Sequence, residues 1–236
     1  MWLTLAALAS VACQPVRRPA SDASSAHADA ALDGPGGVTL CDVEAVPDGV
    51  RLHGAVLDAA DATALPNALV DAIPGGNALS NADGSFAIDV PIDAVATPIS
   101  LTYDAADDIY PLHRRVFQRP FDRADVEVSG RLHSYVQLDS TLYDTGAGPA
   151  RDPQKVTLVA AIVDCSDAGV AGARFTIEPA PDKLVYFGDS STTNASGLAY
   201  GLNVQAGPII VAATGAEPFA FEASGGTVVV AQLVAP

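Results

Sequence analysis

The 236-residue chain carries 28 acidic against 12 basic residues, a formal charge of −16 and a pI near 4.3. That balance argues against phosphate-contacting nucleic-acid binding and against docking on anionic lipid by charge. Hydrophobic residues make up 49% and charged ones 17%, so the chain folds; with 23 Asp, 5 Glu, 20 Gly and 17 Pro, the helix breakers argue against an all-α fold.

Residues 1–12 carry no charged side chain and are mostly small or apolar. The run from Leu3 to Ala9 is too short to span a bilayer and reads as the apolar part of a secretory signal. Ser10-Val11-Ala12-Cys13 follows. This segment resembles the lipobox of bacterial lipoproteins, which implies cleavage before Cys13 and lipidation of its thiol. Ser10 stands where that family usually has Leu, and no Lys or Arg precedes the apolar run. The alternative is an ordinary signal peptide in which Cys13 is incidental. Residues 13–37 are rich in Ala, Ser, Asp, Pro and Gly. They bury too little apolar surface to offset their ordering entropy, so they read as a flexible tether. In the lipoprotein family Gln14 after the lipidated position implies the outer membrane. No later apolar run approaches the roughly 20 residues of a membrane-spanning helix. With Cys13 acylated, Cys41 and Cys165 remain as an even pair in an exported chain, either bridged or as two separate buried thiols.

From Val38 onward short β-prone runs alternate with turn clusters. Val50–Asp58, Leu69–Ile73, Ser85–Val90, Ile99–Tyr103, His113–Gln118 and Ser134–Leu142 are strand candidates at the spacing of an antiparallel sandwich. In Ser85–Val90 the side chains of Phe86, Ile88 and Val90 share one face, while Ser85, Ala87 and Asp89 share the other. Asn81-Ala82-Asp83-Gly84 before it is a hairpin turn. A linker-like stretch over 145–154 separates a second copy. There Ile162-Val163-Asp164 aligns with Val56-Leu57-Asp58, Val170–Phe175 with Leu65–Val70, and Asn194–Leu198 with Asn81–Ser85. Ile209–Val211 and Val228–Val230 add two near-continuous apolar strands. The expected architecture is all-β: two tandem antiparallel Greek-key sandwiches over 38–144 and 155–236, after a signal peptide and a disordered tether.

A strand ending in Val-x-Asp, then Leu-Pro-x-Ala-x-Val, then Asn-x-Asp-Gly-x-Phe resembles the carboxypeptidase regulatory-like domain. Here the signature is Val56–Asp58, Leu65–Val70 and Asn81–Phe86. The second copy carries it loosely, with Ser196 in place of Asp83 and Ala199 in place of Phe86. The resemblance implies a transthyretin-like sandwich with a supporting role and no catalytic residues to carry over.

Motifs for chemistry are largely absent: there is no Cys-x-x-Cys, His-Glu-x-x-His, phosphate loop or Gly-x-Ser-x-Gly elbow. His27, His53, His113 and His133 are never two or four apart. Intradiol dioxygenases use a related sandwich with iron held by Tyr and His, which draws Tyr110, His113, His133 and Tyr135 into comparison. That family's close His pair is missing, and its Arg-Pro-x-His segment reads Arg119-Pro120-Phe121-Asp122 here. Asp104, Asp107 and Asp108 could supply oxygens to calcium, or form a solvated turn. Arg114, Arg115, Arg119, Arg123 and Arg131 concentrate positive charge suited to an acidic partner or an anion, or pair internally with Asp122, Asp125 and Glu127. Tyr103, Tyr110, Tyr186 and Tyr200 could stack on a glycan or lie in the core. The reading is a non-enzymatic, exported, lipid-anchored module that binds another envelope or surface protein, with no cofactor, no nucleic acid and no membrane contact beyond the anchor. The alternatives are a carbohydrate- or calcium-binding accessory module and, third, a metal-dependent enzyme on a transthyretin-like scaffold.

Overall fold

The computed structural model describes residues 49–91, 99–118, 121, 124–144, 148–186 and 191–235. Cys13, Cys41, Arg119, Arg123 and His27 lie outside these residues, as do the signal and tether segments. Among the described residues fifteen strands run in chain order: β1 Gly49–Asp58, β2 Leu69–Ile73, β3 Asn77–Leu79, β4 Ser85–Pro91, β5 Ser100–Asp104, β6 His113–Phe117, β7 Asp125–Glu127, β8 Gly130–Leu132, β9 Val156–Val163, β10 Phe175–Glu178, β11 Lys183–Tyr186, β12 Leu198–Val204, β13 Gly207–Ala213, β14 Phe219–Ala223 and β15 Val228–Val234. A helix, α1, Tyr135–Leu138, continues into a π-helical turn over Asp139–Tyr143. The protein is all-β, as its composition leads one to expect. No helix among the described residues is long and apolar enough to cross a membrane.

The internal repeat is written into the hydrogen bonds. Val56 N–H donates to Gly84 O and Ile162 N–H to Gly197 O, while Leu65 N–H donates to Val56 O and Val170 N–H to Ile162 O. The Ser80 hydroxyl joins Ala68 N–H to Leu65 O; in the second copy the Thr193 hydroxyl joins Ala173 N–H to Val170 O. Asp58 accepts from Ala60 N–H, and Asp164 accepts from Ser166 N–H. Asp58 and Asp164 close the same turns because their side chains reach main-chain donors two residues on, while Ser80 and Thr193 tie two more distant main-chain groups together.

In the first copy β4, β1, β7 and β8 form one sheet, and β6, β5, β2 and β3 form the facing layer. Val50, Leu52, Phe86, Ile88, Val70 and Leu101 fill the core between them. In the second copy β10, β13 and β14 face β11, β12, β9 and β15 across Leu158, Ile162, Phe175, Ile209, Val211 and Leu233. The two copies are fused. Strand β15 pairs with β6 in parallel from Val228↔His113 to Gln232↔Phe117, making one eight-stranded sheet, β11-β12-β9-β15-β6-β5-β2-β3. Its two halves are covered on opposite faces. Phe117 of β6 joins the first core, whereas its neighbour Val116 joins the second, and adjacent strand residues point to opposite sides. Most pairings are antiparallel, but β1 pairs in parallel with β7 and β8, and β15 with β9 and β6, so these two sheets are mixed and the β10-β13-β14 sheet is antiparallel.

One expected strand is helical. Ser134–Leu142 forms α1 and the turn after it, because Ser134 and Gln137 make a reciprocal capping box. The Ser134 hydroxyl accepts Gln137 N–H, and the Gln137 side chain accepts Ser134 N–H. These bonds satisfy two donors at a helix start. The segment is a strap: Leu138, Leu142 and Tyr143 pack on Ala161, Leu198, Tyr200, Leu202 and Val228. That is the face of the second half that the β10-β13-β14 sheet leaves uncovered, and it explains why every residue of β12 is buried. The described part of the linker-like stretch is also tied down. Asn203 accepts from Asp152 N–H and donates to Ala150 O, and the Arg151 guanidinium pairs with Asp139 at 2.6 Å.

Candidate functional site

The strap, β8 and the shared sheet enclose a cleft lined by Tyr103, Arg131, His133, Leu138, Tyr200 and Val230, among others. Its cavity volume is about 50 Å³. One water needs about 10–15 Å³, whereas sites for drug-sized ligands run to about 300–1,000 Å³. The cleft therefore has room for a few waters or a small side chain. Tyr103 is 2% exposed, and among the described residues its hydroxyl has no hydrogen-bond partner. Burial pushes that hydroxyl up to about 12, against the opposing pull of Arg115. Gly130 of β8 lies against the ring, where a Cβ would come within 2.7 Å of the Tyr103 ring carbons.

His113 and His133 stack beside the cleft, ring centroids 6.3 Å apart. His113 Nδ1 donates to Pro111 O at 2.8 Å, because its Nε2 accepts His133 N–H at 3.0 Å. Both nitrogens are thus used by the main chain in the neutral form. Burial holds His113 down near 3, with the Pro111 carbonyl opposing it and His133 adding to it. Burial likewise lowers His133 to about 4, with Asp58 opposing it and Arg131 adding to it. The strap is clamped to the first copy at Asp58, which accepts the Tyr110 hydroxyl at 2.5 Å and the Gln137 amide at 3.1 and 3.3 Å. Partial burial raises the Asp58 carboxyl, but bonds from Tyr110, Ala60, Gln137 and Asp61 outweigh it and leave it below its ordinary value.

The residues singled out in the sequence are dispersed. Arg114 and Arg115 are neighbours on β6 and point to opposite faces. Arg114 donates to Glu222 O and the Ser100 hydroxyl. Arg115 donates to Gln232 and lies over the Phe117 ring at 4.7 Å. Asp104, Asp107 and Asp108 are exposed, and Asp107 accepts Ile109 N–H. Among the described residues no three His, Cys, Asp or Glu side chains are grouped to hold a metal. Tyr103 and Tyr200 are buried, whereas Tyr110, bonded to Asp58, and Tyr186, whose hydroxyl accepts Phe175 N–H, are half-buried against the first and second cores. Cys165 is disulfide-bonded, its partner lying outside the described residues. The clamp was not foreseen: Asp58 stands in the Val-x-Asp motif, but Tyr110 and Gln137 lie 52 and 79 residues away. The only sequence signal for the strap was Ser134-x-x-Gln137.

No protein-family model matches the chain, and no curated protein matches it. Among solved structures, the Bacillus anthracis TIE protein is 17% identical over 78% of this chain and 33% of that one, with a TM-score of 0.27. A streptococcal ancillary pilin is 11% identical over 80% of this chain and 63% of that one, with a TM-score of 0.28. The shaft pilin SpaA of Lactobacillus rhamnosus GG is 12% identical over 80% and 97%, with a TM-score of 0.25. The chain spans 33% of the first and 63% of the second of these proteins. At such TM-scores the likenesses carry no argument about function.

Proposed function

We propose that the chain is a non-enzymatic, exported assembly module that binds another envelope or surface protein. In this reading Cys13 carries the lipid anchor, residues 13–37 are the tether, and a Cys41–Cys165 bridge closes the base of two transthyretin-like sandwiches. The observation that carries it is the eight-stranded sheet, which joins both copies into one framework. The polar groups nearest to a catalytic constellation support it. His113 has both nitrogens engaged by main chain, and the cleft beside it holds only about 50 Å³.

The test is an intact mass of the protein extracted from its own membranes, before and after reduction, followed by cross-linking at the cell surface. A chain beginning at Cys13 with added acyl mass, gaining about two daltons on reduction, and captured with a protein partner is the expected result. An unlipidated mass, or one retaining Met1, removes the anchor. A chain that forms no cross-links removes the assembly role.

A further inference from the structure

The repeat makes one vacancy visible. In the second copy β15 lies parallel to β9, and its other edge receives β6. In the first copy β7 and β8 lie parallel to β1 in the equivalent place, and among the described strands nothing pairs with their outer edge. Arg51 N–H takes Ala124 O, and Val128 N–H takes His53 O. The main-chain groups of Asp125 and Glu127 therefore face away from β1. Ala59 N–H takes Leu132 O, which turns those of Arg131 the same way. The space beyond β8 is the cleft, whose floor includes Val228, Val230 and Val159 and whose volume of about 50 Å³ admits side chains but no added strand, so the open edge is that of β7.

We propose that the β7 edge is a strand-docking site for another protein, which adds an extended segment parallel to β7, in the place that β6 holds beside β15. The occupant's alternate residues are basic, set against the exposed Glu127 and Asp125, the latter already 3.4 Å from His53 Nε2, on a chain of net charge −16. A second copy of this chain is a poor occupant. Its strand equivalent to β6 is β14, where Arg114 already donates to Glu222 O and Gln118 to Glu217 O, and two copies of like charge repel. A contact of this head-to-tail kind would also propagate into open filaments, and the cap on β14 stops that. The inference rests on the assembly reading above and names its surface.

The probe is a labelled peptide of this chain's own Leu112–Gln118, the strand that fills the equivalent berth. Carrying the β6–β15 register over to β7 sets its His113 against Asp125 and its Arg115 against Glu127. Fluorescence anisotropy with the full chain is expected to show saturable binding, weakened at least five-fold by Glu127→Lys. Asp125→Pro, which removes an outward donor without touching the β1 ladder, weakens it similarly. Amide shifts should map to 125–131 and, as side chains enter the narrow cleft, to the strap. Equal binding of a scrambled peptide, indifference to both substitutions, or shifts confined to β3 or β14 would overturn the proposal. Self-association of the wild-type chain that Glu127→Lys abolishes would overturn it in favour of a second copy. Failure here with cross-linked partners retained at the cell surface removes the edge and leaves the assembly role; peptide binding without any partner does the reverse.

Discussion

His113 gives one ring nitrogen to Pro111 O and takes His133 N–H on the other, so protonation breaks a bond at the root of the strap. Both imidazoles sit well below 6.5 in the folded state, near 3 and about 4. The unfolded chain therefore takes up protons first. The stability these two rings confer is complete above about pH 6.5 and falls as the pH drops toward the folded values. At about 1.36 kcal/mol per pKa unit, each costs about 2 kcal/mol by pH 5. Urea unfolding at pH 7.5 and pH 5 should show that loss, and His133→Phe should remove about half of it. An unchanged drop would mean that other groups titrate. Gly84 and Gly197 make a second residue-scale case, with φ of +77° and +68°. A Cβ at these positions would lie 2.6 Å from Val56 O and 2.2 Å from Ile162 O. Alanine at either site should destabilise by more than about 1 kcal/mol, measured as a shifted urea midpoint.

The strap is the element whose loss the second copy feels most. Leu138 is 2% exposed and packs on the β9–β12 face, so Leu138→Ala should cost about 2–5 kcal/mol. Ser134→Ala, which removes the cap, should cost about 1 kcal/mol; chemical denaturation separates the two. The strap also marks where the sequence stopped being readable. Val50–Asp58, Ser85–Val90 and the Asn-x-x-Gly turns are local patterns with local causes, and the structure places strands and turns there. Ser134–Leu142 carries enough Tyr, Val, Leu and Thr to read as a strand, and only the Ser134–Gln137 spacing argues otherwise. The short β7 and β8 owe their place to the parallel partner β1, more than 70 residues earlier in the case of Leu57 and Arg131, and no local pattern announces such a pairing. The Asp58 clamp was half legible: the motif named the carboxylate, while its donors come from a distant loop and from α1.

Across the whole molecule, the joint between the copies is built like their interiors. Val116 of β6 is 1% exposed and belongs to the second copy's core, and β15 is hydrogen-bonded on both sides. Calorimetry should show one cooperative transition whose van't Hoff and calorimetric enthalpies agree. Two separated transitions would mean that the shared sheet does not couple the halves.

The placement of β15 also sets how the protein answers force. A load along the strand from its Val234 end does not peel one bond at a time. It strains seven paired positions with β9 and five with β6 together, in shear. The halves are thus riveted along the β6–β15 seam, and a pull on that end is shared at once by both neighbours of one strand.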